Sequence, residues 1–146
     1  MDNFTLKKIF SESKCHDILR QFKFCLESLR EEKAIEFFAK KFSKYANVVV
    51  AENKENKIIG FIVYYANDFN SRSSFITMIA TLPEFRGMHV GQLLLNFCKK
   101  DIRSKGFLFI KLEVRKENLA AQKFYEKNGF IIISEKEKYM MEWKEL

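Results

Sequence analysis

No stretch of this chain stays apolar for long. The longest apolar run, residues 58–66, has the length of a strand and includes Gly60. A helix that crosses a bilayer needs roughly 20 such residues, so no membrane partner is expected. The first eight residues lack an apolar segment of signal-peptide length, and a cytoplasmic protein is expected. Cysteine is scarce: Cys15, Cys25 and Cys98 are odd in number, widely spaced and form no Cys-x-x-Cys pair. That pattern excludes a disulfide framework and a zinc knuckle, predicts buried reduced thiols, and leaves no metal to expect. No Gly-Lys-Ser/Thr follows any glycine turn, so there is no P-loop. Gly-x-Gly-x-x-Gly spacing is absent too, which removes a dinucleotide fold. The charge is +7 with a pI near 9.3, yet acids and bases interleave and no block of like charge forms. A nucleic-acid partner is therefore not expected.

Against these absences stand 16 phenylalanines and 47% hydrophobic residues in 146 positions. That is enough to bury one substantial core, and a single domain over 1–146 is predicted. Residues 4–10 read as an edge strand. Ser13 is the expected N-cap of a helix over 14–30, whose apolar positions recur at three and four. A second helix is predicted over 32–44. Strands follow at 48–51, 58–66 and 74–82, the first two joined as a hairpin by the polar turn 53–57. A helix over 90–104 stops at Gly106. A strand at 107–114 precedes a helix capped by Asn118 and ended by Gly129, and strands at 130–134 and 139–143 close the chain. The class is α/β (α+β), with a mixed, mostly antiparallel sheet of about seven strands and four helices.

Four of the five glycines and the single proline, Pro83, fall between positions 83 and 129. Special backbone geometry is concentrated in that half. Residues 79–91 run from an apolar strand through Pro83 into Arg86-Gly87-Met88-His89-Val90-Gly91, and then into an apolar helix. The first N–H groups of a helix lack intrahelical acceptors and carry the positive end of its dipole, so this stretch reads as an anion cradle.

Downstream, Leu112-Glu113-Val114-Arg115 is followed by Asn118, Ala121, Tyr125, Gly129 and Phe130. With these residues the sequence resembles the GNAT superfamily of acetyl-CoA-dependent N-acetyltransferases, over about 79–130. Within it the run is most similar to ribosomal-protein alanine acetyltransferases, and also to enzymes acting on small amines and amino sugars. The resemblance implies the GNAT fold, with acetyl-CoA as cosubstrate and a ternary complex without an acyl-enzyme. Backbone groups of Ile79, Ala80 and Thr81 would hold the pantetheine arm. Arg86 and the N–H groups of Gly87, Met88, His89, Val90, Gly91 and Gln92 would hold the pyrophosphate, and Asn118 would contact the cofactor near its thioester end. Glu113 would be the general base and Tyr125 the general acid. The acceptor would be a small amine, an amino sugar or a protein N-terminus, and the protein a monomer or homodimer.

Physical chemistry supports each role beside a plainer alternative. An ammonium must lose a proton before it attacks a thioester, so a carboxylate is useful; Glu113 could equally be a surface residue paired with Lys111 or Arg115. A leaving thiolate gains from a nearby phenol; Tyr125 could equally be a core aromatic. Glu52, Tyr64, Tyr65 and Thr77 are the substitute bases. Asn118 also suits an N-cap. His89 stands where the family usually has glycine, and this departure motivates a second reading, a non-catalytic acyl-CoA-binding domain.

Overall fold

The computed structural model describes residues 4–145; residues 1–3 and 146 of the expected domain lie outside that range. The elements, in chain order, are β1 (Thr5–Ile9), α1 (Glu12–Gln21), a short 3₁₀ turn (Glu27–Leu29) and α2 (Glu32–Tyr45). Strands β2 (Asn47–Glu52), β3 (Ile58–Asp68) and β4 (Ser73–Thr81) follow, then a second 3₁₀ turn (Pro83–Phe85) and α3 (Val90–Ser104). The chain closes with β5 (Phe109–Arg115), α4 (Leu119–Lys127), β6 (Ile131–Glu135) and β7 (Lys138–Lys144). The seven strands form one mixed sheet in the order β1-β2-β3-β4-β5-β7-β6, in which only β4 and β5 run parallel. Seven strands and four helices are the architecture the sequence predicts. Among the described residues no helix is long and apolar enough to cross a membrane.

Each face of the sheet carries its own core. On one face lie α3 and α4. The buried residues of α3, Val90, Leu94, Leu95, Cys98 and Ile102, form a helical stripe that packs on β3 and β5. On the other lie α1 and α2, with Phe22 edge-on to Phe61 at 4.9 Å between ring centres. Covered on both faces, β3 is almost continuously buried from Ile59 to Tyr64. Gly60 permits the closest approach: a Cβ there would lie 2.8 Å from Val90 Cγ1 and 3.1 Å from the Ala80 carbonyl oxygen. Glycine thus lets the first turn of α3 settle onto β3.

The first helix departs from expectation. Its N-cap is Ser11, whose hydroxyl accepts from the Lys14 N–H at 3.0 Å, and not Ser13, which lies inside the helix. It ends at Gln21 rather than near position 30. No glycine or proline marks the break. Phe22 and Leu29, both fully buried, reach the core across a turn and a 3₁₀ turn, so their spacing does not distinguish that path from a straight helix. The break leaves a loop, residues 22–31, bent over one end of the sheet.

Candidate active site

The parallel pair β4–β5 is joined at one end only. Three pairs are in register, Ser73 with Phe109, Ser74 with Ile110 and Phe75 with Lys111, after which the strands part. The parting begins where β4 carries an extra residue: Val63 pairs with Met78 and Tyr64 with Ile76, so Thr77 is bulged out of the ladder. Ile76 and residues 78–81 keep β3 on one side and have no β5 partner on the other. Every second residue there has an N–H and a C=O without a strand partner. The gap opens into a cavity of about 680 Å³.

Of the predicted cofactor residues, Ile79, Ala80, Thr81, Arg86, Gly91 and Asn118 line this cavity. Gly87, Met88, His89, Val90 and Gln92 do not. They form the turn and first helical turn at its mouth. There Gly87 (φ 84°) and His89 (φ 63°) both adopt left-handed backbone, and His89 is the N-cap residue of α3. Left-handed backbone favours glycine, the residue that the resemblance led one to expect at position 89, and His89 meets the same demand at a cost of roughly 1 kcal/mol. Its side chain makes no capping bond and is exposed. Leu93 N–H bonds His89 C=O at 3.1 Å, while Val90, Gly91 and Gln92 supply the helix's first N–H groups, which have no intrahelical acceptor. With the exposed Arg86 they offer backbone donors and one guanidinium, groups with the chemistry to hold an anion.

The side chain of Gln92 does something else. It exchanges amide hydrogen bonds with Asn128, 2.6 and 3.1 Å long, and so ties α3 to the end of α4. Helix α3 and the helix bearing Tyr125 are thereby held as one piece, a link with no signal in the local sequence. Asn118 caps α4, its side-chain oxygen accepting from the Ala121 N–H at 3.1 Å. That leaves its side-chain NH₂ group to offer a ligand.

Glu113 and Tyr125 both line the cavity but approach it from opposite faces of the sheet. Leu112 and Val114 are buried in the core under α3 and α4, so Glu113 between them projects to the other face. There it is exposed, and Arg115, on the same face, is bonded to Glu27 of the first 3₁₀ turn. Lys111 pairs with Glu142 at 3.9 Å. Neither basic neighbour is therefore engaged with Glu113. Tyr125 sits on the α4 side, 7% exposed, against Phe124 and Phe130, and burial pushes its phenol up to about 12. The parting of β4 and β5 is what lets the two groups share one space.

Of the substitute bases, only Thr77 reaches the cavity. Tyr64 donates to Asp101 Oδ2 at 2.5 Å inside the α3 core. Glu52 pairs with Lys7 at 2.7 Å at the far edge. The Tyr65 hydroxyl is buried without a partner, outside the cavity lining. Cys98 is wholly buried, and burial pushes its thiol up, as it does for Cys15, which is raised to about 11. Cys25, expected to be buried within a helix, is instead a half-buried loop residue on the cavity wall. Leu26, Glu27 and Ser28 beside it also line the cavity. Helical periodicity hid all four.

Known proteins share this sequence pattern and this fold. The sequence model of the acetyltransferase (GNAT) family matches residues 13–130. The NAA20 catalytic subunit of the N-terminal acetyltransferase B complex of Arabidopsis thaliana is 30% identical over 122 residues, which cover 81% of this chain and 70% of that one. The [ribosomal protein bS18]-alanine N-acetyltransferase of Haemophilus influenzae is 37% identical over 92 residues, 60% of this chain and 56% of that one. Among solved structures, a chain of the NatC complex bound to Gag peptide and CoA superposes with a TM-score of 0.81 at 20% identity, over 99% of both chains.

Proposed function

We propose that this chain, which belongs to the GNAT family of acetyltransferases and is an acetyl-CoA-dependent acyltransferase, transfers the acetyl group to a primary amine by direct attack in a ternary complex. The observation that carries the proposal is the one-ended β4–β5 pairing, with a helix N-terminus that has no side-chain cap at the mouth of the gap and Tyr125 inside it. An extended arm with amide groups fits the strand edge, and a pyrophosphate fits the helix N-terminus and Arg86. Asn118 offers its NH₂ group to the arm near the reacting end.

The acceptor amine enters from the face that carries Glu113 and the first 3₁₀ turn. Glu113 takes the ammonium proton, directly or through a water, and frees the lone pair. Unpaired N–H groups of β4 face the negative charge that develops on the carbonyl oxygen as the amine adds. Tyr125 donates to the departing sulfur. A thiolate is a weaker base than the anion of a phenol near 12, so Tyr125 acts as hydrogen-bond donor, and the proton released by the amine accounts for the net protonation. Protein N-termini are the acceptors that the names of both curated relatives point to.

The test combines calorimetric titration of acetyl-CoA with thiol release across a panel of amines. Saturable binding with amine-dependent thiol release is expected. Absence of binding would overturn the reading. Binding without transfer to any amine would favour the second reading, an acyl-CoA-binding domain.

A further inference from the structure

Helix α4 carries Tyr125 into the cavity, yet little of its own packing fixes it there. It has nine residues, and Tyr125 is the only buried side chain among them. A helix so short is marginal by itself and takes its position from what holds it. Side-chain amides hold both of its ends. At the start, Asn118 caps the first turn, and Gln122 Nε2 donates to the carbonyls of Arg115 and Lys116 at 3.0 and 2.8 Å. At the end stands the C-cap residue, Asn128, half-buried and bonded through every polar group it has.

Those bonds run in two directions. Within α4, the Asn128 N–H donates to the Tyr125 carbonyl at 3.0 Å, and its side-chain NH₂ donates to the Phe124 carbonyl at 2.8 Å. The peptide groups on either side of the Tyr125 Cα are thus both held by Asn128. Toward α3, its side chain exchanges bonds with Gln92, and its carbonyl accepts from Lys99 Nζ at 2.8 Å. Lys99 is itself seated over the Trp143 ring, 5.0 Å from its centre. Helix α3 is the firmer partner, because its buried stripe anchors it on the sheet. Gln92 therefore has two tasks. Its backbone N–H is one of the free donors at the start of α3, and its side chain grips the end of α4.

We infer that the Gln92–Asn128 pair positions Tyr125 for the reaction, aiming its phenol at the departing sulfur from the helix whose N-terminus is offered to the pyrophosphate. This rests on the proposed transfer, with Tyr125 as hydrogen-bond donor. Such a bond stabilises a developing charge only where donor and acceptor meet at the right distance, and a displacement of about 1 Å at the reacting groups is costly. Without the amide pair, burial would still keep the Tyr125 ring in the core, and the aim of its hydroxyl would be lost.

The experiment compares Gln92→Leu, Asn128→Ala and each of these combined with Tyr125→Phe, by thiol release and by calorimetric titration of acetyl-CoA. Leucine at position 92 keeps the helix, the N–H group and the bonds of Asn128 within α4, so this variant carries the test even where Asn128→Ala does not fold. Each single variant is expected to lower kcat about 5-fold or more, with acetyl-CoA affinity changed by less than about twofold. Because the loss acts through the phenol, each double variant should be as active as Tyr125→Phe alone, whereas a merely structural loss would multiply with it. Multiplied losses, an unchanged kcat in Gln92→Leu, or a loss confined to acetyl-CoA affinity would overturn the inference and leave the transferase reading intact. Full activity in Tyr125→Phe, or no transfer by the wild type, would overturn the reading beneath it as well.

Discussion

The two walls of the cavity are made from different materials. On the α3 side the groups on offer are mostly backbone: the unpaired edge of β4 in the wall and, at the mouth, the first N–H groups of α3 and two left-handed residues of the turn before it. On the side of the first 3₁₀ turn they are side chains, Glu27, Glu113, Arg115 and Lys138, brought together from segments that are distant in the chain. A backbone site depends on the path of the chain and tolerates exchange of side chains. A side-chain site depends on a few charges and tolerates little.

That contrast can be broken at four places. Glu113→Gln should lower kcat about 100-fold near neutral pH and leave acetyl-CoA affinity within twofold. Its rate should recover at alkaline pH, where the amine loses its proton unaided. An unchanged pH profile would move the base elsewhere. On the backbone wall, Gly60→Ala should cost about 1–3 kcal/mol in urea unfolding, because its Cβ meets Val90 and the Ala80 carbonyl, and acetyl-CoA should bind more weakly. Undiminished binding in a folded Gly60→Ala protein would separate the cradle from the seating of α3.

Tyr125→Phe should lower kcat about 10-fold, the loss of one hydrogen bond to a developing charge, with little change in binding. It also has a pH signature. The folded phenol is raised to about 12 against about 10 in the unfolded chain. Its contribution to stability is therefore fully present below pH ~10 and lost as the pH rises toward 12. Unfolding at pH 8 and pH 11 should show the wild type losing more stability than the Phe variant. The smallest effect is expected at His89. His89→Gly should raise stability by less than about 1 kcal/mol, with relief of the left-handed backbone partly offset by glycine's greater freedom when unfolded. Affinity for acetyl-CoA should stay within twofold; a large loss would mean that the imidazole itself binds.

The same contrast explains what could be read from the chain. The cradle was legible because backbone demands leave marks: Gly87 and Gly91 around the turn, Pro83 before it, and Asn118 where a cap was needed. Helix α3 was predicted with the bounds it has, since its apolar stripe is regular and Gly106 ends it. The acceptor wall was not legible. Phe22, Leu26 and Leu29 continue the helical spacing of α1, so periodicity ran the helix through Cys25, Glu27 and Ser28 as well. The opposition of Arg115 and Lys138 depends on a strand register that no local signal encodes. Gln92 was expected for its N–H group, and its side chain's bond with Asn128 crosses 36 positions of sequence.

The one-ended pairing of β4 and β5 also has a mechanical side. Across that junction the sheet is two leaves, β1-β2-β3-β4 and β5-β7-β6, whose strands pair at three positions only, the α3–α4 core, the amide clasp and the Arg115–Glu27 ion pair also spanning the seam. Every other seam in the sheet is stitched along most of its length. A ligand lying along β4, as proposed above, would supply the missing thread, bonding the edge that β5 leaves bare. The protein alone is the less continuous object, and the cohesion it forgoes at that seam is held in reserve for the molecule that enters it.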